Sequence, residues 1–259
     1  MVLNCDLVYA YQHLLPNNSY AETLPTRRHS CSSISFYWSI PHPLPQLQAH
    51  NIFLADDYAP SFDKIFKQQS LPDDPSFYIN VPSRIDPSAA PDRASAVVVL
   101  VPTGHLTDDS SEESVDTLVA RARKHVLDTL RARLGLDLAP MIKEERVNTP
   151  YTWRESFNLT HGAILGLSHD LFNVLSFRPR AKHAEYENLW FVGASTHPGT
   201  GVPVCLAGAK VLAEELLEGM KVSPPWEVSS SANILGLDPT VWLLLGTVGL
   251  VLAAAVRMM

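Results

Sequence analysis

The stretch "NLWFVGASTHPGTGVPVCLAGAKVLAEELL", residues 188–217, decides the fold of this chain. Its apolar start predicts a buried strand that ends at Gly193. Gly199 and Gly201 allow backbone conformations and close approaches that a side chain would block, and Pro203 suits the first turn of a helix. The pattern therefore predicts a strand, a glycine-rich loop and a helix. The free N–H groups at the helix start favour an anion or the electron-rich edge of a ring.

The same stretch is compatible with a purely structural role, and it lacks three well-known functional motifs. An ordinary strand–loop–helix uses glycines for turn geometry alone. The dinucleotide fingerprint GxGxxG is absent, because Val204 stands where its third glycine would be. The surroundings of Ser195 do not match the GxSxG pattern of hydrolases. Residues 168–170, Ser-His-Asp, are chain neighbours and cannot converge into a catalytic triad.

The rest of the chain alternates between strand and helix patterns. Residues 7–16, "LVYAYQHLLP", predict a short helix that stops at Pro16, and residues 17–30, "NNSYAETLPTRRHS", predict a polar linker. Residues 31–40, "CSSISFYWSI", and 94–104, "ASAVVVLVPTG", predict strands, the second of them buried. Residues 111–135 carry apolar residues at helical spacing, open on Ser and Glu and stop at Gly135. We therefore predict an α/β or mixed α+β fold.

Composition narrows the classes of function. The chain has 259 residues, 46% of them hydrophobic, and a net charge of −7 without a basic stripe, so a nucleic acid partner is not expected. Three distant cysteines (Cys5, Cys31 and Cys205) indicate a reducing compartment and neither a disulfide scaffold nor a zinc site. The ten histidines show no HExxH spacing, and no metal is predicted.

The two ends of the sequence carry separate expectations. Residues 1–16 begin at once on an apolar run without a signal peptide pattern, which suggests a chain that starts inside a larger protein. Residues 240–256 are uncharged and mostly apolar, with Trp242 at an interfacial position. They predict a membrane-associated helix within 239–257, following a linker at 221–238, and an intracellular membrane location such as the endoplasmic reticulum. A buried core helix or a hairpin anchor is the alternative for this run.

Five segments carry a resemblance to a known family. In chain order they are "NCDLVYAYQHLLP", "SISFYWSI", "SFYINVPSRIDPSAAPDRASAVVVLVPTGHL", "SFNLTHGAILGLSHDLFNVLSFRPR" and "NLWFVGASTHPGTGVPVCLAGAK". They resemble the bacterial and fungal type phytoene desaturases of the flavin amine oxidase-like superfamily, and the apolar tail is similar to the fungal members. The resemblance implies FAD as cofactor, phytoene and related carotenes as substrates, and a lipid membrane as partner. It leaves the final electron acceptor open.

The resemblance also implies a site and a domain division. Residues 1–15 and 185–220 would form part of an FAD-binding, Rossmann-like domain, and 16–184 a substrate domain with a mixed sheet and helices. The residues implied to bind the cofactor are Gly193, Ala194, Ser195, Thr196, His197, Gly199, Gly201, Val202 and Pro203. Those implied to line the substrate path are Phe157, His161, Leu165 and Phe172. A structural histidine and plain core aromatics remain the alternatives for these four.

The chain departs from the family in one large respect. The family opens on a strand–GxGxxG–helix that holds the ADP part of FAD, and this sequence contains no such segment. We expect the chain alone to bind FAD poorly. The function implied is FAD-dependent desaturation of phytoene toward lycopene or further, by hydride transfer to flavin, with no catalytic base identified. The alternatives are a carotenoid isomerase, a retinol saturase-like flavoenzyme, or a non-catalytic membrane-anchored fragment.

Overall fold

The computed structural model describes residues 1–107 and 114–226, and the protein is of mixed α/β type, as predicted. One compact unit spans Met1–Leu212, and a second begins at Ala213. The strands are β1 (Val2–Leu3), β2 (Ser32–Ile40), β3 (His50–Phe53), β4 (Phe77–Asn80), β5 (Ser95–Thr103), β6 (Glu144–Asn148) and β7 (Trp190–Phe191). The α-helices are α1 (Leu7–Tyr9), α2 (Ser19–Thr23), α3 (Tyr58–Phe66), α4 (Val115–Leu134), α5 (Pro150–Phe157) and α6 (Val202–Gly219).

An antiparallel sheet of five strands, in the order β3-β4-β5-β2-β6, forms the centre of the larger unit. Strands β2 and β5 pair along their whole length, from Ser32 opposite Thr103 to Ile40 opposite Ser95. In β5 every second residue is buried, which is the pattern of a strand with one face on the core. The long β2–β5 pair positions two segments near the site, because residues 28–31 lead into β2 and residues 104–105 follow β5.

Helix α4 supplies the other side of this core. Ala122, Val126 and Leu130 are fully buried in the same apolar cluster as the sheet residues. The side chain of Ser114 caps the first turn by accepting from the Thr117 N–H, and Gly135 ends the helix in the left-handed conformation. Burial of each valine or leucine contributes about 1.5–3 kcal/mol relative to exposure, so the helix is held mainly by this face.

A second apolar cluster joins the start of the chain to residues 189–191. Strand β1 pairs in parallel with β7, which places Val2 opposite Trp190 and Leu3 opposite Phe191. Tyr11 stacks on Phe191 with ring centroids 5.1 Å apart. The two segments assigned from sequence to one cofactor domain are therefore in contact, although the domain division itself stays a prediction.

The structure differs from the sequence-based expectations in several local elements. Residues 19–23 lie in a predicted linker but form α2, because the Asn18 side chain caps them by accepting from the Ala21 N–H. The single helix expected near residues 7–15 is split into α1 and a π-helical turn, Ala10–Leu14. The predicted C-terminal hydrophobic helix, 239–257, and most of the 221–238 linker lie outside the described residues. Within residues 1–107 and 114–226, no helix is both long enough and apolar enough to span a bilayer.

Candidate cofactor site

The glycine-rich loop between β7 and α6 adopts backbone conformations that only glycine takes readily. Gly193, Gly199 and Gly201 have φ angles of 137°, 139° and 103°. A Cβ at Gly199 would lie 3.2 Å from Nε2 of His169, and a Cβ at Gly193 would lie 3.2 Å from the Asn4 side-chain oxygen. At Gly201 the nearest atom would be 3.9 Å away, and residues 201–204 at the start of α6 are exposed.

A buried arginine, Arg178, holds the loop in place. Its guanidinium donates to the carbonyl oxygens of Ser168 (3.1 Å), Asn173 (2.6 Å), Leu167 (3.3 Å) and Ala194. The side chain is only 2% exposed, and burial lowers its pKa. Because no carboxylate bonds to this guanidinium within the described part of the chain, the charge is stabilised by carbonyl dipoles alone. Ala194 of the loop is thereby tied to residues 167–173.

Residues 162–168 form a layer between the loop and the start of β2. The hydroxyl of Ser195 in the loop accepts from the Leu167 N–H at 3.1 Å. On the other side, the Ser30 N–H donates to the Gly166 carbonyl at 2.9 Å, and the Ser32 hydroxyl donates to the Gly162 carbonyl at 2.6 Å. The loop, residues 162–168 and residues 28–32 are thus three adjacent layers of backbone joined by hydrogen bonds.

Cavities lie on both sides of this middle layer. A cavity of about 130 Å³ adjoins the loop and is lined by residues that include Asn4, Asp6, Ile164, Gly193 and Ser195. A pocket of about 590 Å³ lies at the other side, next to residues 28–31. Its lining is partly aromatic and aliphatic, from Phe62, Phe66 and Leu165, and partly polar, from residues that include His29, His105 and His169. His169 connects this pocket to the loop, because its Nε2 lies 3.5 Å from the backbone nitrogen of Thr200.

The cofactor-binding residues implied by the resemblance fall into two groups. Gly193, Ala194, Ser195 and Thr196 line the smaller cavity. His197, Gly201, Val202 and Pro203 are exposed, with Gly199 buried between the two groups. The Thr196 N–H and hydroxyl both bond to the Gly193 carbonyl, at 3.2 and 2.9 Å, which closes the turn after β7.

The predicted substrate-lining residues do not converge on one place. Leu165 lines the larger pocket, and His161 packs against His29 beside it, with ring centroids 4.8 Å apart. Phe157 is 53% exposed and Phe172 is 71% exposed, and neither lines this pocket. Their role as lining residues stays a prediction.

Sequence reasoning missed Arg178, His29 and His105. Arg178 stood in "FRPR", and a buried arginine gives no local signal when its acceptors are backbone carbonyls. His29 lay in the predicted polar linker "TRRHS". The one available sign was the apolar strand β2, which begins three residues after His29 and so places this histidine at the edge of the core.

The chemistry of the loop fits part of an FAD molecule. The open, glycine-lined start of α6 carries backbone N–H donors and the positive end of a helix dipole, which suit the electron-rich edge of a flavin ring. The ADP part of the cofactor has no glycine fingerprint to bind to in this sequence. Among the described residues, no three His, Cys, Asp or Glu side chains are arranged to hold a metal ion.

Comparison with known proteins agrees with the resemblance seen in the sequence. No family model matches the chain. The phytoene desaturase of Fusarium fujikuroi is 53% identical over 256 residues, covering 91% of this chain and 45% of that protein. The phytoene desaturase of Neurospora crassa is 56% identical over 242 residues, covering 90% and 41%. An oxidoreductase structure from Methanosarcina mazei covers 82% of this chain and 42% of its own, with a TM-score of 0.46 and 13% identity, a likeness too low to carry an argument.

These relatives define the class of protein. The glycine loop, the central sheet and the mixed pocket belong to a chain whose relatives are carotenoid desaturases, which are oxidoreductases. Within that class the chain belongs to the phytoene desaturase family, and the family predicted from the sequence is confirmed. The chain spans about half the length of the curated relatives it matches.

Proposed function

We propose that this chain is the flavin-edge and substrate-binding portion of a phytoene desaturase, which oxidises phytoene toward lycopene or further desaturated carotenes. The observation that carries the proposal is the identity of 53% and 56% to two fungal phytoene desaturases across nine-tenths of the chain. The glycine loop supports it, because the first residues of α6 are exposed and a helix start offers free backbone N–H groups, as a flavin edge requires.

In this proposal residues 193–203 bind one edge of FAD. The Arg178 bonds hold Ala194 in position, and the Ser195 hydroxyl fixes the loop against Leu167. FAD, when bound, supplies the hydride acceptor for the oxidation. The chain supplies a preorganised loop and the helix dipole of α6, which stabilise negative charge at the ring edge.

The larger pocket is the proposed site for part of the polyene. Phe62, Phe66 and Leu165 offer an apolar surface, and the pocket reaches the loop through His169. Apolar walls remove water from the reacting carbons and favour a hydrocarbon by the hydrophobic effect. Phe157 and Phe172 are retained as proposed contacts for the part of a long polyene that extends beyond the pocket.

The remaining proposals concern domain type and membrane. The parallel pair β1–β7 followed by the loop and α6 supports a partial Rossmann-like FAD domain. Val202 and Leu206 on α6 are 76% and 66% exposed, as expected for a helix that packs against a further part of such a domain. The apolar composition of residues 240–256 supports association with an intracellular membrane.

The test is a colour assay in cells that accumulate phytoene. Two polypeptides are compared: this chain alone, and this chain fused to the part of the Fusarium fujikuroi enzyme that has no counterpart in it. We expect coloured carotenes from the fusion, together with bound FAD. A Gly199→Val version of the fusion, which blocks the loop, serves as the matched control and should stay colourless. If the folded fusion makes no desaturated carotene, the proposed function is wrong.

A further inference from the structure

A further pocket lies between the start of the chain, helix α2 and residues 177–185. Its volume is about 580 Å³, which is within the range of small-molecule sites. Aromatic rings and charged groups share its lining. The rings are those of Tyr11, Tyr20 and Phe177, and the charged residues whose side chains are exposed are Arg180, Lys182 and Glu185.

Polar contacts fix the walls of this pocket. The Asn18 side chain caps α2 by accepting a backbone N–H at 2.8 Å. Nδ1 of His183 accepts from the N–H groups of Glu185 at 3.0 Å and Tyr186 at 3.1 Å. At the other end of the same segment, the Arg178 guanidinium bonds to four carbonyls. A pocket held in this way loses little conformational freedom when a ligand binds.

The Tyr11 hydroxyl is a polar group that has no partner in the described part of the chain. The Tyr11 ring stacks on Phe191 with centroids 5.1 Å apart and meets Tyr20 edge-on at 5.2 Å. The residue is 6% exposed, yet its oxygen is not among the buried atoms that are sealed from solvent. Burial, with Tyr20 and Glu185 nearby, raises the pKa of Tyr11. The phenol therefore keeps its proton and offers a donor on the side where Tyr20 and Glu185 line the pocket.

The exposed charges at this pocket do not neutralise one another. Among the described residues, the side chains of Arg180, Lys182 and Glu185 form no ion pair. The Lys182 ammonium lies over the Trp190 ring, 5.4 Å from its centroid, which leaves its N–H donors available. The charges around the surface pocket beside α4, in contrast, pair with each other. Two cations and one carboxylate around aromatic rings suit a ligand that carries both an anionic and a cationic group.

An exposed apolar stretch, residues 171–177, reaches this pocket. Phe177 belongs to the lining, and its ring meets that of Phe172 with centroids 6.0 Å apart. Four large apolar side chains of the stretch are more than half exposed: Leu171, Phe172, Leu175 and Phe177. Contiguous exposed apolar residues beside polar ones mark ligand or membrane contacts. A ligand with its polar group in the pocket can therefore lay a hydrocarbon part over this stretch.

We propose that this pocket binds the zwitterionic head group of a membrane phospholipid, a phosphodiester that carries an ammonium group on a short chain. Arg180, Lys182 and the Tyr11 hydroxyl donate to the phosphate. The ammonium lies against the ring of Tyr20, with Glu185 as its counter-ion. The acyl chains cover the exposed apolar stretch. The site is separate from the cofactor loop and does not depend on the proposed desaturase function.

Titration of this chain with monomeric dihexanoylphosphatidylcholine, followed by aromatic ¹H–¹³C spectra, tests the site. We expect saturable shifts of the two pocket tyrosines. Replacing both cations, Arg180→Gln with Lys182→Gln, should weaken binding about tenfold or more. Lys143→Gln with Arg146→Gln, two exposed cations of β6, is the matched control and should leave the affinity unchanged. Shifts that do not saturate, or equal affinities of the two double variants, overturn the proposal.

Two single variants test the charge pattern of the ligand. Glu185→Gln removes the counter-ion of the ammonium, so it should weaken phosphatidylcholine binding about fivefold. It should tighten the binding of dihexanoylphosphatidic acid, which carries no ammonium. Tyr11→Phe keeps the ring and removes the donor, and it should weaken both lipids about fivefold. If Glu185→Gln changes the two affinities equally, or changes neither, the pocket does not recognise a zwitterion and the proposal is wrong.

Two comparisons separate the lipid from other occupants. Free phosphocholine should bind about tenfold or more weakly than the lipid, because it has no chains to cover the apolar stretch. Equal affinity would make a soluble phosphate ester the ligand and would overturn the lipid assignment. The pigment-forming fusion should bind the lipid as this chain does, and loss of binding in the FAD-loaded fusion would mean that the rest of the protein covers the pocket, which also refutes the proposal. A fusion that binds the lipid but makes no carotene refutes the proposed function alone.

Discussion

Replacing Arg178 with methionine tests whether a buried cation holds the cofactor loop. Methionine keeps most of the volume and removes the donors to the carbonyls of Ser168, Asn173, Leu167 and Ala194. Hydrogen bonds from a charged donor contribute about 1.5–3 kcal/mol each. The cost of burying the guanidinium, which its lowered pKa reflects, offsets a large part of that sum. Buried carbonyl oxygens left without a donor cost about 1–3 kcal/mol each, so after this offset we expect a net loss of about 3–5 kcal/mol.

Urea unfolding of this chain, followed by far-ultraviolet circular dichroism, measures the effect. For a chain of this size each kcal/mol lowers Tm by about 2–4 °C, so a decrease of roughly 10 °C should accompany it. The stability of Arg178→Lys should lie between those of the wild type and Arg178→Met, because an ammonium group cannot reproduce the planar, forked donors of the guanidinium. Arg180→Met, two residues away and exposed, is the control and should stay within about 0.5 kcal/mol of wild type. A stability of Arg178→Met within about 1 kcal/mol of wild type would refute the reasoning.

Three further predictions follow from single contacts. The pKa of His29 is about 4 in the folded state, against 6.5 for an imidazole in its ordinary environment. The stability contributed by its neutral form is therefore complete above pH 6.5 and is lost as pH falls toward 4. In urea titrations over that window, the wild type should lose about 3 kcal/mol more than His29→Gln. Gly199→Ala forces a side chain into φ 139° and against His169; it should cost about 1–3 kcal/mol, whereas Gly219→Ala, with nothing near its Cβ, should not destabilise. Ser195→Ala leaves the buried Leu167 N–H without its acceptor and should cost about 1–3 kcal/mol in thermal unfolding, and an unchanged Tm would contradict this.

Local sequence pattern accounted for most of the secondary structure. Strands β2 and β5 and helix α4 follow from their apolar spacing, and Ser114 and Gly135 end the helix as their types predict. The errors fall where a single polar contact decided, as at Asn18, whose side chain turns a predicted linker into α2. The spacing of apolar residues alone cannot reveal such a cap in a short polar segment.

The candidate site was predictable only in part. The loop with Gly193, Gly199 and Gly201 was visible in the sequence, because positive φ angles demand glycine. The residues that line the pocket could not be predicted in this way. Phe157 and Phe172 are exposed, whereas Leu165 lines the pocket. An aromatic residue has the same local pattern in a core, in a pocket wall and on an uncovered surface.

By itself the sequence determined the family, the strand–glycine loop–helix and the alternation of strands and helices, all of which depend on residues close together in the chain. Only the tertiary structure decided that Ser32 bonds to Gly162, that Arg178 reaches Ala194, and that three distant histidines share one pocket end. The physical reason is that these contacts join layers far apart in sequence. Their polar groups are satisfied by backbone that is brought near only when the sheet, the middle layer and the loop have packed.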